Sequence, residues 1–124
     1  MDAKKHLYGF EKLEIWKNSR KFVNMIYEIS KNFPYHESRG LASQIRRSAV
    51  SVMANIAEDT SRFSKKTLHI ICRYTHSSLM EVLSHSYIAY DRHYIDEEKL
   101  EKIKMNVYMI SNKINALHKS LVRR

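Results

Sequence analysis

The chain has 124 residues, and its 22 lysines and arginines outnumber 13 acidic residues, which gives a formal net charge of +9. This length suits one domain with its own core, and the single cysteine excludes an internal disulfide. Residues 1–10 lack the apolar run of a signal peptide, and no segment reaches the roughly 18 apolar residues of a membrane span. We therefore predict one cytoplasmic domain, residues 1–124, with a loose arm at residues 1–9. The excess of basic residues predicts an anionic partner.

The scarcity of turn residues predicts an all-α chain. There are two glycines and one proline, and neither type occurs after Gly40, whereas a sheet protein recruits such residues at its turns. The first helix is predicted from about Glu11 to Asn32, because Pro34 pushes the residue before it out of the helical region. After a short loop, the second helix is predicted from about Ser38 to Asp59.

The third and fourth helices are predicted from their first residues and their apolar spacing. Ser64 is a suitable N-cap for a third helix that continues to about Arg92, and Asp96 is a suitable N-cap for the fourth. In the fourth helix the apolar residues alternate between spacings of three and four: Leu100, Ile103, Val107, Ile110, Ile114, Leu117 and Leu121. This pattern is typical of shallow helix crossing, and it predicts an antiparallel up-down four-helix bundle.

The apolar faces of the first two helices are wider than one core requires. On a helical wheel the second helix has a compact core stripe: Leu41, Ile45, Ala49, Val52 and Ile56. Further residues widen its apolar arc to about 220°, and the arc of the first helix is about 200° wide, whereas one core needs about half as much. The surplus predicts self-association through an interface that contains Phe22, Ile29, Arg46, Val50, Met53 and Ala57.

Two adjacent arginines interrupt the apolar second helix. Arg46 falls inside the wide arc, so we predict that it lies at a subunit boundary, paired with a carboxylate or carbonyl, or lines a solvated channel. The alternative is an intrachain ion pair without function. Arg47 falls on the polar side, where the alternative to a binding role is an ordinary solvated charge. For Trp16 and Tyr27, a place in the core or the interface is favoured over base stacking.

Three segments together resemble a known bacterial family. They are FEKLEIWKNSRKF near the start, GLASQIRRSAVSVMANIAED in the second helix and SRFSKKTL after it. They resemble the four-helix-bundle proteins encoded in intervening sequences of 23S ribosomal RNA genes, a family that includes the accessory variability determinant proteins of diversity-generating retroelements. The resemblance extends from about Phe10 to Leu121.

The resemblance implies an assembly and a ligand. It implies a ring-like homopentamer of up-down bundles with a basic surface that binds nucleic acid with little sequence preference. In the retroelement branch it also implies binding of a reverse transcriptase and its template RNA. The chain departs from the family pattern at Met53, where proline is common, and at Asp59 and Ser61, where glycine is common.

Basic residues cluster around the connection between the second and third helices. Phosphate contact requires positive charge on a side chain long enough to reach the phosphate, but no fixed geometry. We therefore predict that the following residues bind nucleic acid: Arg46, Arg47, Arg62, Lys65, Lys66 and Arg73. The alternative is a solvated face with a few ion pairs. For a second cluster, formed by Lys113, Lys119, Arg123 and Arg124, interaction with the dipole of the fourth helix is favoured over phosphate contact.

The sequence nominates no catalytic residue, metal ligand or cofactor. His69 and His76 share a helix face, but the chain has no Glu-x-x-His pair of the kind that bundle metal sites use, and Cys72 lies on the apolar stripe. There is no phosphate-binding glycine loop. We therefore predict a non-catalytic, oligomeric nucleic-acid-binding scaffold. The alternatives are a module that docks an acidic protein such as a reverse transcriptase, and a nuclease of unrecognised type.

Overall fold

Four α helices follow one another along the chain. The computed structural model describes residues 9, 13–59 and 65–122, and for residues 59, 65–68, 71 and 121–122 it describes the backbone alone. This part contains no strand, and its helices are α1 (Glu14–Ser30), α2 (Leu41–Asp59), α3 (Lys65–Asp91) and α4 (Glu97–Val122). The prediction of an all-α chain with four helices is confirmed.

The helix bounds differ from the predicted ones mainly between α1 and α2. A 3-10 turn, Tyr35–Glu37, occupies the connection, so α2 begins at Leu41 and not near Ser38. The predicted N-cap Ser64 and all but one residue of the predicted N-terminal arm lie outside the described residues. Among the described helices, none combines the length and the apolar character that crossing a bilayer requires.

Hydrogen bonds between side chains establish that consecutive helices are antiparallel. Ser48 Oγ donates to Glu81 Oε2 at 3.0 Å, and Ser78 Oγ donates to Ser51 Oγ at 3.0 Å. As the α2 residue number rises, the α3 partner number falls, which requires opposite directions. Contacts between α1 and α4 close the arrangement, so each helix packs against two neighbours.

The core is built from one apolar stripe of each helix. All five residues of the stripe predicted in α2 are buried, and Ala49 and Val52 are fully inaccessible. Phe22 and Ile29 lie in the same core, with exposed fractions of 1% and 7%. This burial corrects their assignment to an oligomer interface. The middle of the wide apolar arc of α1 faces the bundle axis, which leaves these two side chains no surface for a second copy.

Small hydroxyl side chains lie inside the core. Ser19, Ser30 and Ser86 are buried, and each donates its hydroxyl to the carbonyl four residues earlier, at 2.7–2.8 Å. A buried hydroxyl is tolerated when it is hydrogen-bonded in this way. Thr75 is also fully buried, but within the described part of the chain its Oγ1 has no hydrogen-bond partner.

Acidic side chains organise the end of the bundle at which α2 and α4 begin. Asp96 Oδ1 accepts the backbone N–H of Lys99 at 2.8 Å, which confirms Asp96 as the N-cap of α4. Glu37 Oε1 accepts the N–H of Leu41 at 3.2 Å, and Glu37 Oε2 accepts the hydroxyl of Tyr94 at 3.1 Å. One carboxylate therefore satisfies a donor of α2 and joins the α1–α2 connection to the α3–α4 connection.

The end of α3 has a Schellman geometry without glycine. The N–H of Tyr94 donates to the carbonyl of Ala89 at 2.8 Å, and the N–H of His93 donates to the carbonyl of Tyr90 at 3.0 Å. These are the two bonds that define the motif. His93 occupies the left-handed position, with φ 64°, where glycine is usual because it has no Cβ.

We expect His93→Gly to raise the free energy of unfolding by about 0.5–1 kcal/mol. The left-handed conformation costs a residue with a Cβ about 1–2 kcal/mol, and the greater freedom of glycine in the unfolded chain offsets part of the gain. Urea denaturation followed by circular dichroism measures the change. Arg92→Gly is the matched control. Because Arg92 has a negative φ, glycine at this position should lower the free energy of unfolding. Equal destabilisation by both substitutions would contradict the prediction.

Candidate nucleic-acid interface

Arg46 makes its contacts within its own chain. Its Nε donates to Ser30 Oγ at 2.7 Å, and its guanidinium carbon lies 4.9 Å from the ring centroid of Tyr27. The half-buried arginine thus joins α2 to the last turn of α1 by a hydrogen bond and a cation–π contact. These contacts fit the alternative of an intrachain role for Arg46 better than a subunit contact. Its partners, however, are a hydroxyl and an aromatic ring and not the carboxylate of an ion pair.

Of the predicted nucleic-acid-binding residues that the structure describes, Arg46 and Arg73 lie apart. Arg46 faces α1, whereas Arg73 lies beside α4, on the opposite side of the bundle. The α2–α3 hydrogen bonds place Arg46 level with residue 83, so it is also about 15 Å from Arg73 along the axis. Arg47 is exposed near Arg46. Arg62 lies outside the described residues, as do the side chains of Lys65 and Lys66.

The remaining predicted interface residues form a continuous surface, which we name the α1–α2 face. Starting at Arg46, it continues along α2 through Val50, Met53 and Ala57, beside Tyr27 of α1. Val50 is 41% exposed and Tyr27 is 45% exposed, whereas Met53 and Ala57 are half-buried against the core. Apolar surface of this kind on a small bundle is available to another protein surface.

A groove lies between the first half of α3 and the last half of α4. This α3–α4 groove has a volume of about 650 Å³, and the residues that line it include His69, Cys72, Arg73, His76, Asn115 and His118. His69 Nδ1 and His118 Nε2 are hydrogen-bonded at 2.5 Å, with the two rings nearly perpendicular. This contact places the start of α3 beside the end of α4.

The groove brings together two stretches of the chain that have no acidic residue. Residues 60–80 contain four arginines and lysines and no aspartate or glutamate, and the same is true of residues 113–124. The contact between His69 and His118 joins these stretches at one end of the bundle, which we name the basic end. Arg73 and Lys119 are exposed there. Arg73 of the first basic cluster and Lys119 of the second therefore lie at the same end of the bundle.

The opposite end of the bundle has a mixed charge. Residues 91–101, which connect α3 to α4 and begin α4, contain five acidic residues and two basic ones. The net positive charge is thus distributed unevenly along the axis. Two observations could have revealed this from the sequence: the acid-free stretches themselves, and the acid-rich segment between them. Their arrangement in space, however, requires the register of α3 against α4.

Lys113 is engaged at the edge of the basic end. Its Nζ lies 2.8 Å from Glu14 Oε1 and 2.9 Å from Asn18 Oδ1. Hydrogen bonding to Lys113 and the charge of its ammonium lower the pKa of the exposed Glu14 carboxyl. This lysine therefore has a carboxylate partner, whereas Arg73 and Lys119 are exposed. In the part of the chain that the structure describes, no three metal-ligating side chains converge.

Comparison with known proteins identifies the family. Residues 11–116 match the family described as 23S rRNA-intervening sequence protein. The chain belongs to this family. A solved structure described as a protein with unknown function from the S23 ribosomal protein family of Bacteroides thetaiotaomicron VPI-5482 is 22% identical and has a TM-score of 0.76, over 85% of this chain and 98% of that one. At this identity the similarity shows the shared fold. No curated protein sequence matches the chain.

The match to the 23S rRNA-intervening sequence family divides the groove. Arg73 and Asn115 lie within the matched residues 11–116, whereas His118 and Lys119 follow them. The match thus includes the α3 side of the groove and Asn115 of α4. The last turns of α4, which complete the groove, lie beyond the matched residues.

Proposed function

We propose that this chain is a non-catalytic, oligomeric scaffold that binds nucleic acid through its basic end with little sequence specificity. The observation that carries the proposal is that the described parts of the acid-free stretches 60–80 and 113–124 meet at one end of the bundle, through His69 and His118. Phosphate binding requires positive charge within reach but no fixed geometry. Among the described residues of the basic end, the exposed Arg73 and Lys119 supply such charge.

The α1–α2 face supports the oligomeric part of the proposal. It is apolar and exposed, and it lies on the side of the bundle opposite the α3–α4 groove. Association through this face would therefore leave the groove accessible. A ring of five is what the resemblance implies, and repetition of one basic end around a ring would increase affinity for a polyanion through multivalency. From the same resemblance we propose that the chain is related to the accessory variability determinant proteins of diversity-generating retroelements.

We expect binding to labelled RNA and duplex DNA to weaken steeply as salt rises from about 50 to 300 mM. Each phosphate contact adds about −0.9 to the log-log salt slope on duplex DNA and about −0.7 on single strands. Arg73→Glu combined with Lys119→Glu is expected to reduce affinity at least about tenfold and to flatten the slope by one to two contacts. Fluorescence anisotropy, on protein whose oligomeric mass is known from light scattering, measures both quantities.

The control reverses two charges at the other end of the bundle. Lys31 and Arg39 are exposed near the start of α2, and Lys31→Glu with Arg39→Glu changes the net charge by the same amount. This control should lose less than about threefold. Equal losses in both variants would assign binding to net charge and not to the basic end. A well-formed oligomer that binds no nucleic acid at 50 mM salt overturns the proposal and favours an acidic protein partner. Cleaved RNA on a gel would instead indicate a nuclease.

A further inference from the structure

The seam between α3 and α4 continues beyond the groove as a row of exposed aromatic and apolar side chains. Met80 and Tyr87 of α3 are 37% and 42% exposed, and Tyr108 of α4 is 70% exposed. Lys104 Nζ lies 5.8 Å from the ring centroid of Tyr87, so the far part of the seam is also closed by a contact between the two helices.

The residues of the row follow one side of each helix. On α4, positions 104, 108, 111, 115 and 118 are separated by alternating steps of four and three, which is the spacing of one helix face. On α3, positions 69, 73, 76 and 80 follow the same rule, and position 87 lies two turns further along the same face. Because 69 meets 118 and 87 meets 104, the two faces border one seam along about 27 Å of α3.

Cations are present at both ends of the seam. Arg73 is exposed at the groove, and Lys104 is about 21 Å away along the axis, level with Tyr87. Hydrogen bonding to Tyr87 and, as the smaller effect, to Glu101 raises the pKa of Lys104. The side chain therefore keeps its positive charge. The salt bridge from Lys104 to Glu101, at 3.4 Å, is partly exposed, and an exposed pair of this kind contributes little free energy. The seam thus alternates cations with aromatic rings.

This combination favours unpaired strands over duplexes. Within a duplex the faces of the bases are stacked on one another, whereas in a single strand they are free to stack on an aromatic side chain. Helix axes that pack directly lie about 8–10 Å apart, so the seam between them suits one extended strand. An exposed tyrosine ring in water gains nothing from a duplex, because only the phosphates and groove edges would reach it.

We propose that the α3–α4 seam binds single-stranded nucleic acid, with phosphates beside Arg73 and Lys104 and a base stacked on the ring of Tyr108. The proposal rests on the proposed function and adds to it the class of ligand and the residue that recognises it. Backbone contact at the basic end and base stacking on the seam make separate contributions, and they respond to different substitutions.

Tyr108→Ala tests the stacking. It is expected to reduce affinity for single-stranded RNA or DNA oligonucleotides about 5- to 100-fold and to change duplex affinity less than twofold. Tyr108→Phe should retain most of the affinity, because the ring and not the hydroxyl stacks. Tyr35→Ala is the matched control, since Tyr35 is 93% exposed on the α1–α2 connection and should leave both affinities unchanged. Circular dichroism verifies that each variant is folded.

The outcomes separate this proposal from the proposed function. Equal affinity for single strands and duplexes, with no effect of Tyr108→Ala, overturns the stacking proposal and leaves a basic end that binds phosphate. Absence of binding to every nucleic acid overturns the proposed function itself. Tighter binding of single strands than of duplexes, reduced by Tyr108→Ala, supports the seam, and the ratio of RNA to DNA affinity reports whether a 2′-hydroxyl is contacted.

Discussion

Phe22→Ala is expected to lower the free energy of unfolding by about 3–5 kcal/mol. Phe22 lies in the middle of α1, is 1% exposed and is among the largest fully buried side chains described. Its removal loses the transfer free energy of the ring and leaves a cavity that the packed helices fill only partly. Denaturation in urea or guanidinium chloride, followed by circular dichroism, measures the loss.

Two controls distinguish a core residue from an interface residue. Lys21 is the exposed neighbour of Phe22 on the same helix, and Lys21→Ala should change stability by less than about 0.5 kcal/mol. The loss in Phe22→Ala should also be the same at every protein concentration, because interface energy depends on concentration and core energy does not. A loss that appears only in the dissociation of the oligomer would show that Phe22 serves the interface after all.

Thr75→Val is expected to act in the opposite direction and raise the free energy of unfolding by about 1–3 kcal/mol. Thr75 is fully buried in α3, and in the described part of the chain its hydroxyl has no hydrogen-bond partner. A buried polar group without a partner carries a desolvation penalty of this size. Valine has nearly the same shape and lacks the hydroxyl, so the core is refilled without the penalty. A thermal or chemical denaturation experiment measures the gain.

Ser86→Ala is the matched control for Thr75→Val. Ser86 is equally buried on the same helix, but its hydroxyl donates to the carbonyl of Val82 at 2.7 Å. Its removal should give no comparable gain. A Thr75→Val variant that is less stable than the parent would mean that the Thr75 hydroxyl does have a partner and contributes to the fold.

The local features of the fold could be predicted from the sequence. The stripe from Leu41 to Ile56 is buried as its spacing predicts, and Asp96 caps α4 because its carboxylate lies within reach of an N–H three residues on. Such features depend on residues within one or two helical turns. They are encoded by period and by capping preference, both of which are visible in a single sequence.

The features that the sequence did not predict depend on direction or register. A helical wheel gives the width of an apolar arc but not the part that faces the core, so it does not distinguish a core position from an interface position for Phe22 and Ile29. The bond from Arg46 to Ser30 and the contact between His69 and His118 require the offset of two helices. The left-handed His93 ends α3 at a position where glycine is the usual signal, and no glycine is present to mark it.

The uneven charge along the bundle also affects how the molecule meets a polyanion. With positive charge concentrated where α3 begins and acidic residues gathered where α4 begins, the protein has an electric dipole along its long axis. Under the proposed function, the field of a nucleic acid would exert a torque on this dipole and turn the bundle before contact. Collisions would then occur mainly with the basic end leading, and the long-range field would select the orientation before any side chain makes contact.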